Sequence, residues 1–371
     1  MTAVPVLFVS SHARLGGSER YLTTLVAGLG PQWVRGVVVL EEGHLVEELR
    51  AAGVPTEVVP TSPRPPGLLR SAWRLRRRLS GREAAVVHAN GVKAALVAVL
   101  AALGSRTPVI WVKHDFSFDG RRARLIAARC AEVIGVSAAV TATFPQRMRD
   151  KVRVVHNGIG RVDVDRAEGR RRLHELLGPP APTAVVALVG RLEPVKGQGE
   201  LLGIARRLAD AVPGVRIVFI GGESAPYPDY PSQLRAQIEQ SGLADVVALV
   251  GHRDDALELI AGADVVAVPT TAAEHARGEG FGYVALEAMA VGTPVVGYAH
   301  GGLPELIGEC ARLVAPGDRA ALERALVELL RDLKERERLA RCGRERVASE
   351  FSLERVIEEM KERYVAVAGA S

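Results

Sequence analysis

The sequence predicts an α/β protein with two doubly wound parallel sheets. Short apolar, β-branched runs alternate with longer helical patterns almost from end to end, which is typical of parallel strands covered by helices. The alternation comes in two series, separated by the turn-like His156-Asn157-Gly158 and a stretch rich in Arg and Asp. The length of 371 residues is enough for two domains of roughly 150 residues each.

The first series contains seven candidate strands. They are Val4 to Ser10, Val34 to Leu40, Val54 to Val59, Ala84 to Ala89, Thr107 to Val112, Glu132 to Val136 and Val152 to Val155. The second series contains six, which are Thr183 to Val189, Val215 to Ile220, Val246 to Val250, Val265 to Val268, Pro294 to Gly297 and Ala311 to Val314. From Arg319 to Gly369 the pattern is helical, with a break at Phe351-Ser352 before a last amphipathic helix.

Composition excludes several classes of protein. Hydrophobic residues make up 48% and charged residues 25% of the chain, as in folded rather than disordered proteins. The longest apolar run, Ala94 to Gly104, is about half of the roughly 20 residues that a membrane-spanning helix needs. The first ten residues indicate a strand and not a signal peptide, so a cytoplasmic location is expected. Three distant cysteines without CxxC spacing predict reduced thiols, with neither a disulfide framework nor a zinc site.

Charge is distributed unevenly along the chain. Residues 1–160 contain 22 Lys+Arg and 11 Asp+Glu, whereas the remainder contains 26 and 32. The Arg70 to Leu79 stretch with Trp73, and a second cluster at Arg121 to Arg129, suit a helix lying on an anionic membrane surface. Solvated helices with extended arginines are the alternative. No basic sheet with interleaved aromatic residues accompanies them, so nucleic acid is not an expected partner.

Three loops that follow predicted strands contain residues suited to an anionic ligand. Gly16-Gly17 leaves backbone amides open at a helix start, although a glycine turn with Ser18 as N-cap is an equal alternative. Arg191 and Lys196, in the stretch from Gly190 to Gly197, suit a leaving diphosphate, and surface ion pairing is the alternative. The absence of GxGxxG after the first strand argues against a nicotinamide or flavin enzyme.

The third loop places two carboxylates, Glu279 and Glu287, about two helical turns apart on one face. Gly280 and Gly282 leave further amides open at the helix start. Glu287 is surrounded by apolar neighbours in its helix, where an unpaired carboxylate is costly, so a ligand hydroxyl is a credible partner.

These motifs together resemble the GT-B glycosyltransferases, and within them the retaining nucleotide-sugar enzymes of glycosyltransferase family 4. The resemblance covers nearly the whole chain and rests on motifs that occur in the family's order. They are Gly16-Gly17-Ser18-Glu19, His114-Asp115-Phe116, Asn157-Gly158-Ile159, Gly190-Arg191-Leu192 through Lys196-Gly197, the Glu279 to Glu287 spacing, and Gly301-Gly302-Leu303-Pro304-Glu305.

The resemblance implies two facing Rossmann-like domains and a last helix that crosses back to the first. The expected acceptor domain is 1–158 together with about 353–371, and the expected donor domain is 159–352. The implied catalytic residues are His114, Arg191, Lys196 and Glu279. The implied donor-binding residues are Gly16, Gly17, Gly190, Phe281, Gly282, Tyr283 and Glu287, with Glu287 on the ribose and Glu279 on the sugar hydroxyls. Gly16 and Gly17 are expected to complete the phosphate site on closure, with His114 beside the donor sugar.

Residues 271–277 lengthen the loop before Glu279 and depart from the family pattern. His275 and Arg277 in this insertion, and Asn90 after the fourth strand, are candidates for acceptor recognition or specificity. Asp163-Val164-Asp165 matches a metal-binding pattern of another glycosyltransferase fold, but it lies between the domains and not after a strand. No metal and no cofactor is expected, since the cations and helix termini can neutralise the leaving group.

The resulting prediction is a retaining, metal-independent glycosyltransferase with a same-face mechanism. Its donor is a nucleoside-diphosphate sugar, and its acceptor is a glycan, lipid-linked or small-molecule hydroxyl. Its expected setting is cell-envelope polysaccharide synthesis, with the inner membrane face as a candidate location. A nucleotide-sugar epimerase of the same architecture is one alternative. The other is a catalytically silent binding partner that keeps the fold.

Overall fold

The structure is a computed structural model that describes residues 2–14, 16–62, 64–80, 84–273 and 276–370. Within these ranges the chain divides into two units, one formed by residues 1–160 with 351–371 and the other by residues 161–350. Each unit is built around its own parallel sheet, as the two series of strands predict.

The first unit contains seven parallel strands in the order β3-β2-β1-β4-β5-β6-β7. The strands are β1 Val6–Ser10, β2 Val34–Val39, β3 Thr56–Val58, β4 Val86–Asn90, β5 Val109–Lys113, β6 Glu132–Gly135 and β7 Val152–Val154. The helices between them are α1 Gly17–Leu29, α2 His44–Ala51, α3 Pro65–Ser80, α4 Val92–Ala102, α5 Arg121–Arg129 and α6 Ala138–Thr141, followed by a 3-10 helix Gln146–Lys151.

The core of the first unit explains why its strands are recognisable in the sequence. Every residue of β1, β4 and β5 is buried, because helices cover both faces of the sheet. Trp111 of β5 is fully buried and packs edge-on against Phe144. The apolar runs of the sequence therefore mark the centre of the sheet, and its carboxyl edge lies where β1, β4 and β5 end.

The second unit contains six parallel strands in the order β10-β9-β8-β11-β14-β15. They are β8 Ala184–Val189, β9 Val215–Ile220, β10 Val247–Gly251, β11 Val265–Val268, β14 Val295–Tyr298 and β15 Arg312–Val314. Two further short strands, β12 Ala272–Ala273 and β13 Ala276–Arg277, pair antiparallel in a separate sheet. The helices are α7 Arg166–Leu177, α8 Gln198–Leu202, α9 Ala205–Ala211, α10 Tyr230–Gln240, α11 Ala256–Gly262, α12 Tyr283–Val291, α13 Leu303–Ile307, α14 Arg319–Arg331 and α15 Leu333–Glu350. A 3-10 turn, Pro194–Lys196, precedes α8.

The last helix, α16 Leu353–Gly369, belongs to the first unit, as the resemblance implies. It begins with Ser352 as N-cap and packs against α1, where Ile357 lies against Gly28. Tyr364 of α16 is fully buried, and its hydroxyl lies 2.8 Å from Nδ1 of His88 in β4. The C-terminal helix is therefore held in the first unit by both apolar packing and a buried hydrogen bond.

Two features of the second unit differ from the sequence predictions. The cysteines were expected to be reduced, but Cys310 and Cys342 form a disulfide, while Cys130 is a buried free thiol. The sequence spacing hid this pair because 32 residues separate two cysteines that the packing of α15 brings within 5.2 Å between Cα atoms. The helical tail also has a break at Asp332, between α14 and α15, that the periodicity did not indicate.

No helix within the described residues is long and apolar enough to cross a membrane.

Candidate functional site

The loop after β8 brings a lysine to the carboxyl edge of the second sheet. The chain turns through Pro194–Lys196 and enters α8 at Gly197, which has φ of +85°. A Cβ atom at Gly197 would lie 2.2 Å from the carbonyl oxygen of Pro269, so only glycine fits this turn. The turn directs Lys196 toward the loop after β11.

Lys196 meets Glu279 across these two loops. Its Nζ lies 2.7 Å from Oε1 of Glu279, and the Oγ1 of Thr270 donates a hydrogen bond of 2.7 Å to the same oxygen. Burial raises the pKa of Glu279, but the charge and hydrogen bonds of Lys196, the Thr270 hydroxyl and the charge of Arg191 outweigh it, so the net pKa lies below its usual value. Glu279 is therefore ionised at neutral pH and paired with a cation.

Arg191 stands at the same edge of the sheet. It follows Gly190, and its side chain is 50% exposed, with Nη1 located 3.1 Å from Oε1 of Glu193. Because it is ion-paired on one side and open to solvent on the other, it keeps donors available for an anionic ligand.

The loop after Glu279 continues into α12. Gly282 is the N-cap, with φ of +104° and without a side-chain cap bond. Phe281 is buried, Tyr283 is half-buried, and Glu287 is buried in α12 between apolar neighbours. The backbone of Glu279 is fixed by a bond of 2.8 Å from the Gly302 amide to its carbonyl oxygen. The Gly301-Gly302 motif therefore holds the loop on which Glu279 lies.

In the first unit, α1 begins at Gly17 with Gly16 as an extended N-cap. A Cβ atom at Gly16 would lie 2.7 Å from Oε2 of Glu19. The alternative that Ser18 caps the helix is wrong, since its hydroxyl bonds the carboxylate of Glu19 at 2.9 Å. The side-chain Nδ2 of Asn90 donates a hydrogen bond of 3.0 Å to the carbonyl oxygen of Ser18, which connects the start of α1 to the end of β4.

Asn90 also binds His114, which directly follows β5. The Nε2 of His114 lies 2.5 Å from Oδ1 of Asn90, and its ring contacts Tyr21 edge-on at 5.0 Å between centroids. Burial lowers the pKa of His114 to about 4, with Asp115 raising it and Lys113 lowering it. At neutral pH His114 is a neutral imidazole held in place by its neighbours.

A cleft of about 60 Å³ opens beside this pair at the carboxyl edge of the first sheet. Most of its lining residues have polar side chains, which suits a ligand rich in hydroxyls. The lining residues are Ser11, His12, Ser18, Glu19, Asn90, Gly91, Val92, Trp111, Lys113, His114, Asp115 and Ser117.

The structure therefore brings the predicted residues into two groups, one in each unit. Asn90 and His114 are in contact in the first, and Gly16 and Gly17 form the helix start that Asn90 binds. Arg191, Lys196 and Glu279 share the edge of the second sheet, and Gly190, Phe281, Gly282, Tyr283 and Glu287 lie on the same loops or on α12.

Predicted specificity residues in the insertion are only partly described. His275 lies outside the described residues, and of Arg277 the structure describes the backbone, in the β12–β13 hairpin. Asp165 of the Asp163-Val164-Asp165 pattern caps α7, accepting a bond of 2.8 Å from the Ala167 amide. Within the described residues no cluster of three or more metal-ligating side chains occurs.

Sequence reasoning missed the polar residues that hold the predicted ones. Thr270 follows β11 and contacts Glu279. Glu193 contacts Arg191, and Ser224 in turn contacts Glu193. Only Glu193 had a weak sequence signal, because it is a carboxylate between two cations, Arg191 and Lys196, in one motif.

The carboxyl edge of the second sheet combines two cations, an ionised carboxylate and a helix start. Together these groups can bind a diphosphate and polar sugar hydroxyls.

Comparison with known proteins assigns both halves of the chain. Residues 170–346 match the family described as "Glycosyl transferases group 1", and residues 15–161 match "Glycosyltransferase Family 4". The D-inositol 3-phosphate glycosyltransferase of Mycolicibacterium smegmatis is 36% identical over 163 residues, 43% of this chain and 35% of that protein. The enzyme of the same name from Mycobacterium avium is 38% identical over 185 residues, 49% of this chain and 41% of that protein. The matches thus span well under half of these curated relatives.

Solved structures are similar over nearly the full length. The structure of Anabaena Alr3699/HepE in complex with UDP and glucose has a TM-score of 0.85 and 25% identity, covering 97% of this chain and 99% of that chain. A glycosyltransferase from Rickettsia africae has a TM-score of 0.86 at 18% identity, covering both chains completely. The fold is therefore GT-B.

Proposed function

The chain belongs to glycosyltransferase family 4, and we propose that it transfers a sugar from a nucleoside-diphosphate sugar to a hydroxyl acceptor. The contact between Lys196 and Glu279 carries this proposal. It joins, across 83 residues of sequence, a cation suited to a diphosphate and a carboxylate suited to sugar hydroxyls. Arg191 adds a second cation at the same edge of the sheet.

The donor is proposed to be a UDP-sugar. This rests on HepE, whose structures hold UDP, UDP with glucose, and UDP-glucose. Arg191 and Lys196 bind the diphosphate, Glu287 the ribose, and Glu279 with the Phe281-Gly282 backbone the sugar hydroxyls. The N-terminal end of α12 carries the positive end of the helix dipole, which favours the same negative charge.

The proposed reaction proceeds on one face of the sugar with retention of configuration. The bond between the anomeric carbon and the diphosphate oxygen breaks, and the acceptor oxygen forms the new bond on the same face. The acceptor's proton goes to the departing diphosphate, whose charge Arg191 and Lys196 stabilise. His114, being neutral, serves in this proposal as a hydrogen-bonding partner of the sugar and not as a charged acid.

A thermal-shift and calorimetric screen tests the donor proposal. UDP, GDP, ADP and TDP and their common sugars are added to the purified chain and to Arg191→Ala and Lys196→Ala variants. Exposed Arg235 and Lys334 supply the matched controls Arg235→Ala and Lys334→Ala. At 100 times Kd the expected stabilisation by UDP is about 2.7 kcal/mol, lost in the first two variants and kept in the controls. No shift with any nucleotide contradicts the proposal.

Retention is tested separately from donor binding. Once an acceptor supports turnover of UDP-glucose, the anomeric proton coupling in the product reports its configuration. An α-linked product from the α-configured donor is expected, and a β-linked product contradicts the same-face course.

We further propose that the first unit docks on an anionic membrane to reach a lipid-linked acceptor. Helices α3 and α5 contain nine arginines and no acidic residue, and both pack against α4. Their outer faces expose Leu69 (60%), Trp73 (58%) and Leu125 (71%), with Arg77 stacked over Trp73 at 5.1 Å. Helices that lie on membranes combine exposed apolar residues with basic ones in this way. Attraction to an anionic surface contributes about 1 kcal/mol of binding free energy per basic residue near it.

Vesicle sedimentation tests this docking. Binding is expected to rise with the phosphatidylglycerol content of phosphatidylcholine vesicles, and to fall in a Leu69→Ser/Trp73→Ser variant. The Arg235→Ala variant is the control in the second unit. If the protein does not bind vesicles, or binds equally well whatever their phosphatidylglycerol content, the proposal is contradicted and α3 and α5 are solvated helices.

A further inference from the structure

Arg191 is held by a carboxylate that the proposed reaction does not use. Glu193 is only 6% exposed, yet its Oε1 lies 3.1 Å from Nη1 of Arg191. Burying a carboxylate is costly unless charges and hydrogen bonds compensate it. Glu193 therefore pairs with Arg191 from a buried position, and its other contacts must offset the desolvation free energy of its carboxylate.

Ser224 supplies the second contact of that carboxylate. Its hydroxyl donates a hydrogen bond of 2.6 Å to the same Oε1, and the serine is 2% exposed. Ser224 lies on the loop after β9, the strand next to β8 in the sheet. The amide of Leu192 also donates to the carbonyl oxygen of Gly222 at 2.9 Å, so the two loops are joined by both backbone and side chains.

The backbone of Arg191 is fixed from the other side. Gln198, the first residue of α8, is fully buried and donates from Nε2 to the carbonyl oxygen of Arg191 at 3.1 Å. The arginine is thus restrained at its carbonyl group by Gln198 and at its guanidinium by Glu193. Its half-exposed side chain still presents its remaining N–H groups to solvent.

We infer that Glu193 and Ser224 are positioning residues that orient the Arg191 guanidinium for the donor diphosphate. An unrestrained arginine loses rotamer freedom when it binds, and a pre-oriented one loses less. Ser224 fixes the carboxylate, the carboxylate fixes one edge of the guanidinium, and the other edge meets the ligand. This inference rests on the proposed function, because it assumes that Arg191 binds the diphosphate.

A different relation between the same groups has the opposite consequence. If Glu193 competed with the diphosphate for Arg191, loosening the carboxylate would strengthen nucleotide binding. If the ion pair served only to stabilise the loop, loosening it would lower binding equally with or without Arg191. The three relations therefore differ in sign or in coupling, both of which are measurable.

The test is a double-mutant cycle with UDP as the probe. Ser224→Ala and Glu193→Asp both keep the negative charge and loosen its placement. Each is made in the parent and in an Arg191→Ala background, and the Kd for UDP is measured by calorimetry. We expect about 10-fold weaker binding in the parent and less than a 2-fold change in the Arg191→Ala background, since coupled residues are not additive. Exposed Glu223 supplies the matched control, Glu223→Asp.

Equal losses in both backgrounds, or tighter binding of UDP in either variant, would overturn the inference. Melting temperatures taken alongside identify a variant that fails to fold, and the other variant then completes the cycle. If Arg191→Ala itself leaves UDP binding unchanged, it is the donor assignment of Arg191 in the proposed function that fails. If Arg191→Ala weakens binding and neither variant does, only the positioning role fails.

Discussion

Lys196 combines two tasks, since it pairs with the partly buried Glu279 and is proposed to bind the diphosphate. Lys196→Ala is expected to lower kcat for UDP-glucose by about 10²–10³-fold, or about 2.7–4 kcal/mol, the loss typical of a donor that stabilises a developing anion. Steady-state kinetics measure the loss, with Lys334→Ala, an exposed lysine in the same unit, as the control. A fully active Lys196→Ala variant would contradict the assignment.

His88 makes the stability of the first unit depend on pH. Burial lowers its pKa to about 3, with the charge of His114 lowering it further, whereas an unfolded histidine titrates near 6.5. Because the folded pKa is depressed, the stabilising contribution is complete above pH 6.5 and is lost as the pH falls toward 3. Between pH 7.5 and 5 the loss for His88 is about 2 kcal/mol.

Urea unfolding at the two pH values measures this loss. A His88→Gln variant is expected to be less stable at pH 7.5 and to lose less on acidification than the parent. Exposed His44 provides the control His44→Gln, which should keep the pH dependence of the parent. A parent whose unfolding free energy is equal at both pH values would refute the prediction.

At the scale of elements, α7 and α11 approach each other through glycine. A Cβ atom at Gly169 would lie 2.0 Å from the carbonyl oxygen of Glu258, a backbone atom that cannot move aside easily. Gly169→Ala is therefore expected to destabilise the second unit by about 3 kcal/mol, the upper range of overpacking. Chemical denaturation measures it. Gly199 in α8 has nothing within 4 Å of its Cβ position, so Gly199→Ala should be neutral or mildly stabilising.

Elements were predictable where both faces of the sheet are covered. The ends of each predicted strand lie within two residues of those of an observed strand. The reason is that buried parallel strands appear in the sequence as continuous apolar runs. The pairing of β12 with β13 and the break at Asp332 were missed, since neither is marked by an apolar run. The contact of Glu193 with Ser224 was missed because it joins separate loops, and that of Glu279 with Thr270 because it spans nine residues of one irregular segment. Spacing along a chain does not specify such contacts.

At the scale of the whole molecule, the two series of strands became two units with separate cores, and the glycine motifs fell at their carboxyl edges. The motifs were visible because turns and open helix starts restrict residue type. The placement of α16 with the first unit came from the family resemblance and not from periodicity. A helix of either unit can have the same apolar stripe, so its partner is a tertiary property.

The disulfide stabilises one of these units and not the other. Cys310 precedes β15, and Cys342 lies in α15, which packs against the α12 helix that contains Glu287. Closing a loop of 32 residues contributes about 3–4 kcal/mol in the chain-entropy model. Reduction should therefore speed amide hydrogen exchange within residues 161–350, most of all in β14, β15 and α15, and leave residues 2–160 unchanged.

Exchange mass spectrometry with and without a phosphine reductant makes this measurement. A Cys310→Ser/Cys342→Ser variant should exchange like the reduced parent and respond no further to reductant, which separates loss of the bond from other effects of the reagent. UDP, the proposed ligand of the second unit, should have the opposite effect, because ligand binding slows the same opening that reduction speeds. Faster exchange in the first unit on reduction would show that its stability is not independent of the second, contrary to the separate cores.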